Sequence, residues 1–330
     1  MSFEEHAGPD EESERLEVEV PTLMDQMRVD RALAMLTGCS RAEAVALVEA
    51  GSVVVDGKMV TKASLTLGEG SLLEATLPPV RSDAVEPESG IDFEIIFEDP
   101  ELLIVNKPAS LVVHPGAGHR KGTLVAGLLA RFPEISSLPE GGWGEVTRPG
   151  IVHRLDKGTS GLLAVARTPA AFESLTEQFA THQAQRRYVG IVEGAVENAQ
   201  GVIDAPIGRS ATTPTKMAVR PDGKDARTRY VLLGRLQRPD RSVVGLSLET
   251  GRTHQIRVHM AAIGHAIVND PRYGQRNERR LDAERLALHA GRLELRHPGD
   301  GSVLRAVAPM PADLEILGAS VEADAWLSGS

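Results

Sequence analysis

The run HRLDKGTSGLL, residues 153–163, sets one carboxylate, Asp156, between the cations Arg154 and Lys157 and follows it with a turn of small residues. Positive charge on both sides favours the carboxylate anion, and an ionised aspartate can act as a nucleophile or a base. Ion pairs that only hold a fold have the same spacing, so a structural role stands beside the chemical one. The run Gly158 to Gly161 is small enough to let a ligand approach the backbone closely, and Gly161 to Ala166 reads as a strand.

Outward from this core, Thr168-Pro169 is a helix start with proline in the first position, and the helix runs to about His182. Tyr188 to Glu193 is again strand. On the other side, Phe93 to Phe97 and Leu102 to Val105 are β-rich runs joined by Glu98-Asp99-Pro100, which predicts a hairpin. Further short strands are expected around 202–203, 216–219, 228–236 and 243–248, with a helix from about His254 to Ile263. No repeating βαβ unit and no GxGxxG or Walker sequence is present. The glycines Gly116, Gly118 and Gly122 follow His114-Pro115 and are not expected to open a helix, which disfavours nucleotide binding. The pattern predicts an α+β domain on a mixed, mostly antiparallel β-sheet with a central cleft and flanking helices.

Residues 27–77 form a separate module. Val29, Leu33 and Leu36 line one helical face, Ser40 with Glu43 makes a capping box for a second helix, and Gly51 ends it. Val53 to Val55, Asp56-Gly57 and Met59-Val60 make a hairpin with a favoured two-residue turn. The expected boundaries are a disordered acidic tail over 1–20, a small αα-β domain over 21–80, a linker over 81–91, the large domain over 92–320 and a C-terminal tail over 321–330.

A chain of 330 residues with 42% hydrophobic composition can bury more than one core. Its start, MSFEEHAGPDEE, has no signal-peptide pattern, and no apolar run is long enough for a membrane span, so a cytoplasmic location without membrane contact is expected. The single cysteine, Cys39, rules out intramolecular disulfides and reads as a small buried hydrophobe. The net charge of −10 is unevenly spread. Residues 1–20 and 81–101 each carry eight acidic side chains against one basic, whereas 102–330 carry 23 acidic against 29 basic, net +6. A cationic large domain suits a polyanionic partner.

As a whole string, HRLDKGTSGLL resembles the catalytic motif of the RluA/RluD-like family of ribosomal large-subunit pseudouridine synthases, and four more islands follow in the family's order. NKPASLVVHPG (106–116), RRYVGIVEG (186–194), ETGRTHQIRVHM (249–260) and RLALHA (285–290) are similar to its remaining motifs. The resemblance implies Asp156, Tyr188 and Arg257 as catalytic residues and Leu288 as an apolar contact of the base. It implies a pseudouridine synthase fold and isomerisation of large-subunit (23S) rRNA uridines, with the D type acting on helix 69 as the nearest specificity. The C type or another large-subunit specificity is the alternative. The segment from Arg28 to Gly70 resembles the S4-like RNA-binding domain, which implies RNA contacts from Arg28, Arg31, Arg41, Lys58 and Lys62. The partner is then large-subunit rRNA or a pre-ribosomal particle, in ribosome biogenesis, and the protein is expected to act as a monomer.

Isomerising uridine means cutting the bond from ribose C1′ to uracil N1, turning the base and joining C5 to C1′. There is no redox step and no group enters or leaves, so no cofactor, nucleotide or metal is expected. Asp156 could attack covalently or remove a sugar proton, and the sequence leaves both open. A stacked uridine must be extruded to reach it, at a cost of about a few kcal/mol. Arg154 is the candidate to fill the gap by stacking, His153 to position the loop or contact phosphate, and Lys107 and Arg252 to contact phosphates. His254 and His259 are five apart, a poor spacing for a metal on one helical face. Two other readings remain. One is a glycoside-type hydrolase pairing Asp156 with Glu249, and the other is a non-catalytic rRNA-binding assembly factor.

Overall fold

The computed structural model describes residues 15–37, 39, 41–77, 85–115, 121–138, 148–213, 215–237, 240–274, 285–315 and 321–329. The chain divides into two compact units, Met1–Asp83 and Ala84–Ser330. Among the described residues no helix is long and apolar enough to cross a membrane.

The first unit pairs helices α1 (Val29–Thr37) and α2 (Arg41–Glu49) with strands β1 (Arg15–Glu19), β2 (Val53–Val55), β3 (Lys58–Met59) and β4 (Leu72–Thr76), in the sheet order β1-β4-β2-β3. Val29 and Leu33 are fully buried on the predicted helical face, with Leu36 packed beside them. Gly51 closes α2 at φ 73°, and Asp56 and Gly57, both at positive φ, make the turn that joins β2 to β3 without splaying them. Ser40 and the side chain of Glu43 lie outside the described residues. Cys39 is half-buried against this core.

The acidic tail is shorter than its composition suggested. Residues 15–19 form β1, which pairs antiparallel with β4 so that Leu16 faces Ala75 and Val18 faces Leu73. The alternation of Leu16 and Val18 with glutamates has the period of a half-buried strand, and partner strand β4 supplies the hydrogen bonds that a peptide alone lacks.

The second unit is a nine-stranded sheet with helices. Its strands are β5 (Glu94–Glu98), β6 (Leu102–Lys107), β7 (Ser160–Ala166), β8 (Gln185–Glu193), β9 (Gln200–Asp204), β12 (Arg227–Gln237), β13 (Asp240–Leu248), β14 (Leu288–Arg296) and β15 (Val303–Val307). A separate short hairpin, β10 (Ile207–Arg209) with β11 (Met217–Val219), follows β9. The order along the sheet is β5-β6-β7-β14-β8-β13-β12-β9, and β15 also pairs with β14. Pairing is antiparallel except where β14 meets β7, His289 opposite Ser160 and Ala290 opposite Gly161. Strand β7 is buried along its length and β6 from Leu102 to Val105, where both are almost wholly apolar, as strands covered on both faces must be.

The helices are α3 (Leu124–Arg131), α4 (Pro169–Ala180), α5 (Gln255–Ala262), α6 (Ala312–Glu315) and α7 (Val321–Ser328). The helix at α4 starts as its sequence predicts, with Thr168 accepting from the Ala171 N–H at 3.1 Å and Pro169 in the first turn. Two readings need correction. A helix does open behind the 116–122 glycines: Thr123 caps α3 by accepting from the Ala126 N–H, and Gly122 turns into it at φ 69°. Gly116 and Gly118 lie outside the described residues. The segment 321–330 is more than a tail, because Ala323 and Leu327 of α7 are buried in the main core and Trp326 Nε1 donates to the carbonyl of Tyr188 at 3.1 Å.

Candidate active site

The loop carrying Asp156 hangs between Ile151, which bridges to Val165, and the first residue of β7. The Thr159 N–H donates to the Asp156 carbonyl at 3.0 Å, closing the turn Asp156-Lys157-Gly158-Thr159. Gly158 and Ser160 pack inward, while Thr159 between them lines the cleft. A Cβ on Gly158 would lie 2.9 Å from Cβ of Leu286, and Ser160 Oγ is 2.9 Å from His289 Nδ1. The turn is therefore packed from below, and the Asp156 side chain is turned the other way, into a cleft of about 360 Å3.

Arg257, on α5 and 6% exposed, donates from Nη1 to Asp156 Oδ2 at 2.9 Å. Its other nitrogens are held by Asp270, Nε to Oδ2 at 2.7 Å and Nη2 to Oδ1 at 2.8 Å. Burial disfavours both charges, but the paired carboxylates more than offset this for Arg257 and raise its pKa. Asp270 responds in the complementary direction: burial opposes its ionisation, and the hydrogen bonds and charge of Arg257 hold it below the usual carboxylate range. Asp270 also accepts from the N–H groups of Arg272 and Tyr273 at 2.9 and 3.0 Å. A bidentate clamp of this kind fixes the guanidinium plane and, through it, the position of Asp156.

The wall beside Asp156 carries His254, at the left-handed position preceding α5 with φ 58°. Its Nε2 is 4.0 Å from Asp156 Oδ1 and its Nδ1 is 2.8 Å from the Tyr273 hydroxyl, which accepts from the Met217 N–H at 3.0 Å. Burial lowers the His254 pKa against the pull of Asp156. Arg257 lies over the Tyr273 ring at 5.2 Å.

Tyr188, on β8, and Leu288, at the start of β14, line the same cleft, as do Arg154, His153 and Arg252. Burial raises the Tyr188 hydroxyl, with Arg186 opposing and Asp156 adding to the shift. Arg154 is exposed at the cleft. His153 is engaged elsewhere: Nε2 accepts from the Ala164 N–H at 2.8 Å, the ring stacks on Phe179 at 4.1 Å, and burial pushes its pKa down to about 3. It braces the loop against β7 and is not placed as a cation for phosphate. Arg252 Nε donates to the Asp225 carbonyl at 2.9 Å.

Lys107 departs furthest from expectation. Instead of a loop-edge phosphate contact it is wholly buried, donating to the carbonyls of Pro108 at 2.9 Å and Leu111 at 2.8 Å. Burial pushes its ammonium down to about 7. Glu249 is not a second carboxylate for Asp156 either. It is held by Arg227 and Arg229 and does not line the cleft. His259 is buried against Thr228 and the Ala205 carbonyl, turned from His254. In the first unit, Arg28 and Arg41 both bind the buried Asp30, at 2.9 and 3.1 Å, while Arg31, Lys58 and Lys62 are exposed.

Sequence reasoning missed Asp270 and Tyr273 and weighed His254 only as a metal ligand. Asp270 stood before a proline in NDPRYG, a turn signal, and only the fold shows that this turn faces Arg257. Among the described residues lining the cleft, Asp156 is the sole carboxylate, against Arg148, Arg154, Arg186, Arg252 and Arg257. A cationic, partly apolar cleft with one acid at its floor suits a nucleotide within a polyanionic strand.

Comparison with known proteins agrees. The profile of the RNA pseudouridylate synthase family matches residues 101–262, and that of the S4 domain matches residues 27–73. A Bacillus subtilis protein described as an uncharacterized RNA pseudouridine synthase is 43% identical over 87% of this chain and 91% of its own length. Ribosomal large subunit pseudouridine synthase D of Nitrosomonas europaea is 40% identical over 94% of this chain and 89% of its own. Among solved structures, human RNA Pseudouridylate Synthase Domain Containing 1 is 30% identical and superposes with a TM-score of 0.54, covering 68% of this chain and 86% of that one. With its sheet, its cleft and relatives matched over nearly their whole length, the chain belongs to the RNA pseudouridylate synthase family.

Proposed function

We propose that this isomerase converts uridines of large-subunit ribosomal RNA to pseudouridine, with helix 69 as its target and Asp156 as the residue that engages the reacting nucleoside. The observation that carries the reading is the clamp: Asp156 opens to the cleft while its partner Arg257 is fixed from behind by Asp270. A carboxylate so oriented is in place to attack the nucleoside or to take a sugar proton, without losing its geometry when the base turns.

The target uridine leaves its stack and enters the cleft, Tyr188 and Leu288 bracket the uracil, and the Tyr188 hydroxyl assists proton loss from C5 after C5 joins C1′. Arg154, exposed at the cleft, fills the vacated place in the RNA. The rearrangement needs only groups of this chain. The name of the relative in Nitrosomonas europaea supports the large-subunit assignment, and the resemblance to the D type supports helix 69. In the first unit, the exposed Arg31, Lys58 and Lys62 serve RNA directly, and Arg28 and Arg41 do so from their anchorage on Asp30.

The test is tritium release from unmodified large-subunit rRNA labelled at uracil C5, without added cofactor. Wild-type protein should release tritium from helix 69, and Asp156→Asn should lose at least about 10³-fold in rate, as removal of an essential covalent or basic group does. Equal release by Asp156→Asn would overturn the role of Asp156, and release confined to other uridines would overturn the helix 69 assignment.

A further inference from the structure

We propose that Arg148 and His114, flanked by Arg154, form a subsite for the phosphodiester next to the reacting uridine; the assignment rests on the RNA-modifying reading above. Of the described arginines in the second unit, Arg148 and Arg154 are the two whose side chains have no hydrogen bond, ion pair or ring contact. The others are tied down, Arg187 to the Trp326 carbonyl and Arg235 to that of Val196, for example. Both untied guanidiniums line the cleft.

His114 lies beside them. It is only 9% exposed, it lines the cleft, and its Nδ1 is buried without a partner, as is Nε of Arg148. Buried polar atoms are ordinarily satisfied, and leaving one orphaned is costly. Two such nitrogens on neighbouring side chains, beside a second unpaired cation, suit an oxygen-rich anion. Asp156, the one carboxylate among the described lining residues, is already engaged by Arg257.

The surroundings are built to hold the groups in place. The Arg148 carbonyl accepts from the Ile151 N–H at 3.1 Å, and the next turn is pinned to the end of β7 by Ala166 N–H donating to the Gly150 carbonyl at 2.8 Å. Gly150 sits there at φ 75°, where a Cβ would meet the Ala166 carbonyl at 2.6 Å. Burial, then the charges of Arg148 and Arg154, push His114 down to about 4, so at neutral pH it offers a neutral N–H donor. A planar guanidinium and an N–H donor match the two free oxygens of a phosphodiester. A nucleotide drawn into the cleft brings its flanking phosphates with it, which favours the RNA strand over a free ion as the source.

The experiment is a binding cycle on full-length protein carrying Asp156→Asn, so that the RNA is not turned over. The probe is a helix 69 hairpin, intact or with one methylphosphonate replacing the phosphate 5′ or 3′ to the target uridine. At one of those positions the neutral linkage should weaken binding about tenfold, the loss expected for one charge-assisted contact. With Arg148→Gln added, the intact hairpin should bind about tenfold more weakly and the methylphosphonate should cost nothing further. Arg148→Lys should retain part of the sensitivity, which separates lost charge from a misfolded loop. Independent, additive losses at both positions, or no methylphosphonate effect on a hairpin that wild-type protein converts, would overturn the subsite while leaving the activity standing. Failure of wild-type protein to bind or convert the hairpin would instead count against the parent reading. Inorganic phosphate at millimolar concentration should compete no better with wild-type than with Arg148→Gln protein; selective competition would assign the site to a free anion and overturn the strand proposal.

Discussion

At the level of single residues, the behaviour of Asp156 is set by a side chain it never touches. Asp270 holds Arg257 through both carboxylate oxygens, so Asp270→Asn leaves a buried guanidinium with Asp156 as its one remaining ionic partner. Turnover should fall about 10²-fold with little change in KM, and stability should drop by about 3 kcal/mol, the scale of a broken buried pair. Single-turnover kinetics alongside denaturant melts separate the two effects; unchanged turnover would mean that Arg257 needs no clamp. Lys107 gives a pH signature instead. It titrates near 10.5 when unfolded and about 7 when folded, so between those values the unfolded chain holds the extra proton and stability rises with pH. Below pH 7 both states are protonated and the burial penalty is present in full. Urea melts at pH 6.5 and 9 should show this rise in wild-type protein and lose it in Lys107→Met, and an identical slope in both would exclude Lys107 as its source. The sequence showed Asp156 plainly, because its charged neighbours are adjacent in the chain. It could not show that Lys107 faces inward or that Asp270 meets Arg257, since both depend on contacts between distant segments.

At the level of elements, legibility followed periodicity. Strand β7 and helix α4 announce themselves by an unbroken apolar run and a Thr-Pro start, and their bounds fall close to those read from the sequence. Strand β14 does not, because RLALHAGRLELR mixes arginines with a mid-strand glycine and its pairing shifts register between His289 and Arg292. The acidic residues of β1 hid a strand in the same way, and α3 was hidden behind glycines. The parallel contact of β14 with β7 depends on Gly161, at φ 118°, where a Cβ would come within 2.2 Å of the Ala290 carbonyl. Gly161→Ala should therefore destabilise the second unit by about 3 kcal/mol or more, from strain and lost pairing together. A denaturant midpoint equal to wild type would show that the two strands are not in such close contact.

Over the whole molecule, a net charge of −10 coexists with a cleft whose described lining holds five arginines and one carboxylate. Total charge was a poor guide because the acid is concentrated in residues 1–20 and 81–101. RNA affinity should fall with salt at a log–log slope of about −3, as roughly four phosphate contacts on a flexible strand imply. A flat dependence, measured by titrating a helix 69 hairpin from 50 to 300 mM salt, would remove phosphate recognition from the account.

The position of β14 bears on how the enzyme comes into being. This strand leaves the ribosome well after β7 and β8, yet it lies between them and brings Leu288 to the cleft. Until it inserts, two apolar strands present open edges to each other and to other chains. A nascent polypeptide stalled before residue 288 would hold the Asp156 loop but lack Leu288 and the strand that joins β7 to β8, so the cleft is complete only after β14 inserts, and until then the growing chain is sticky.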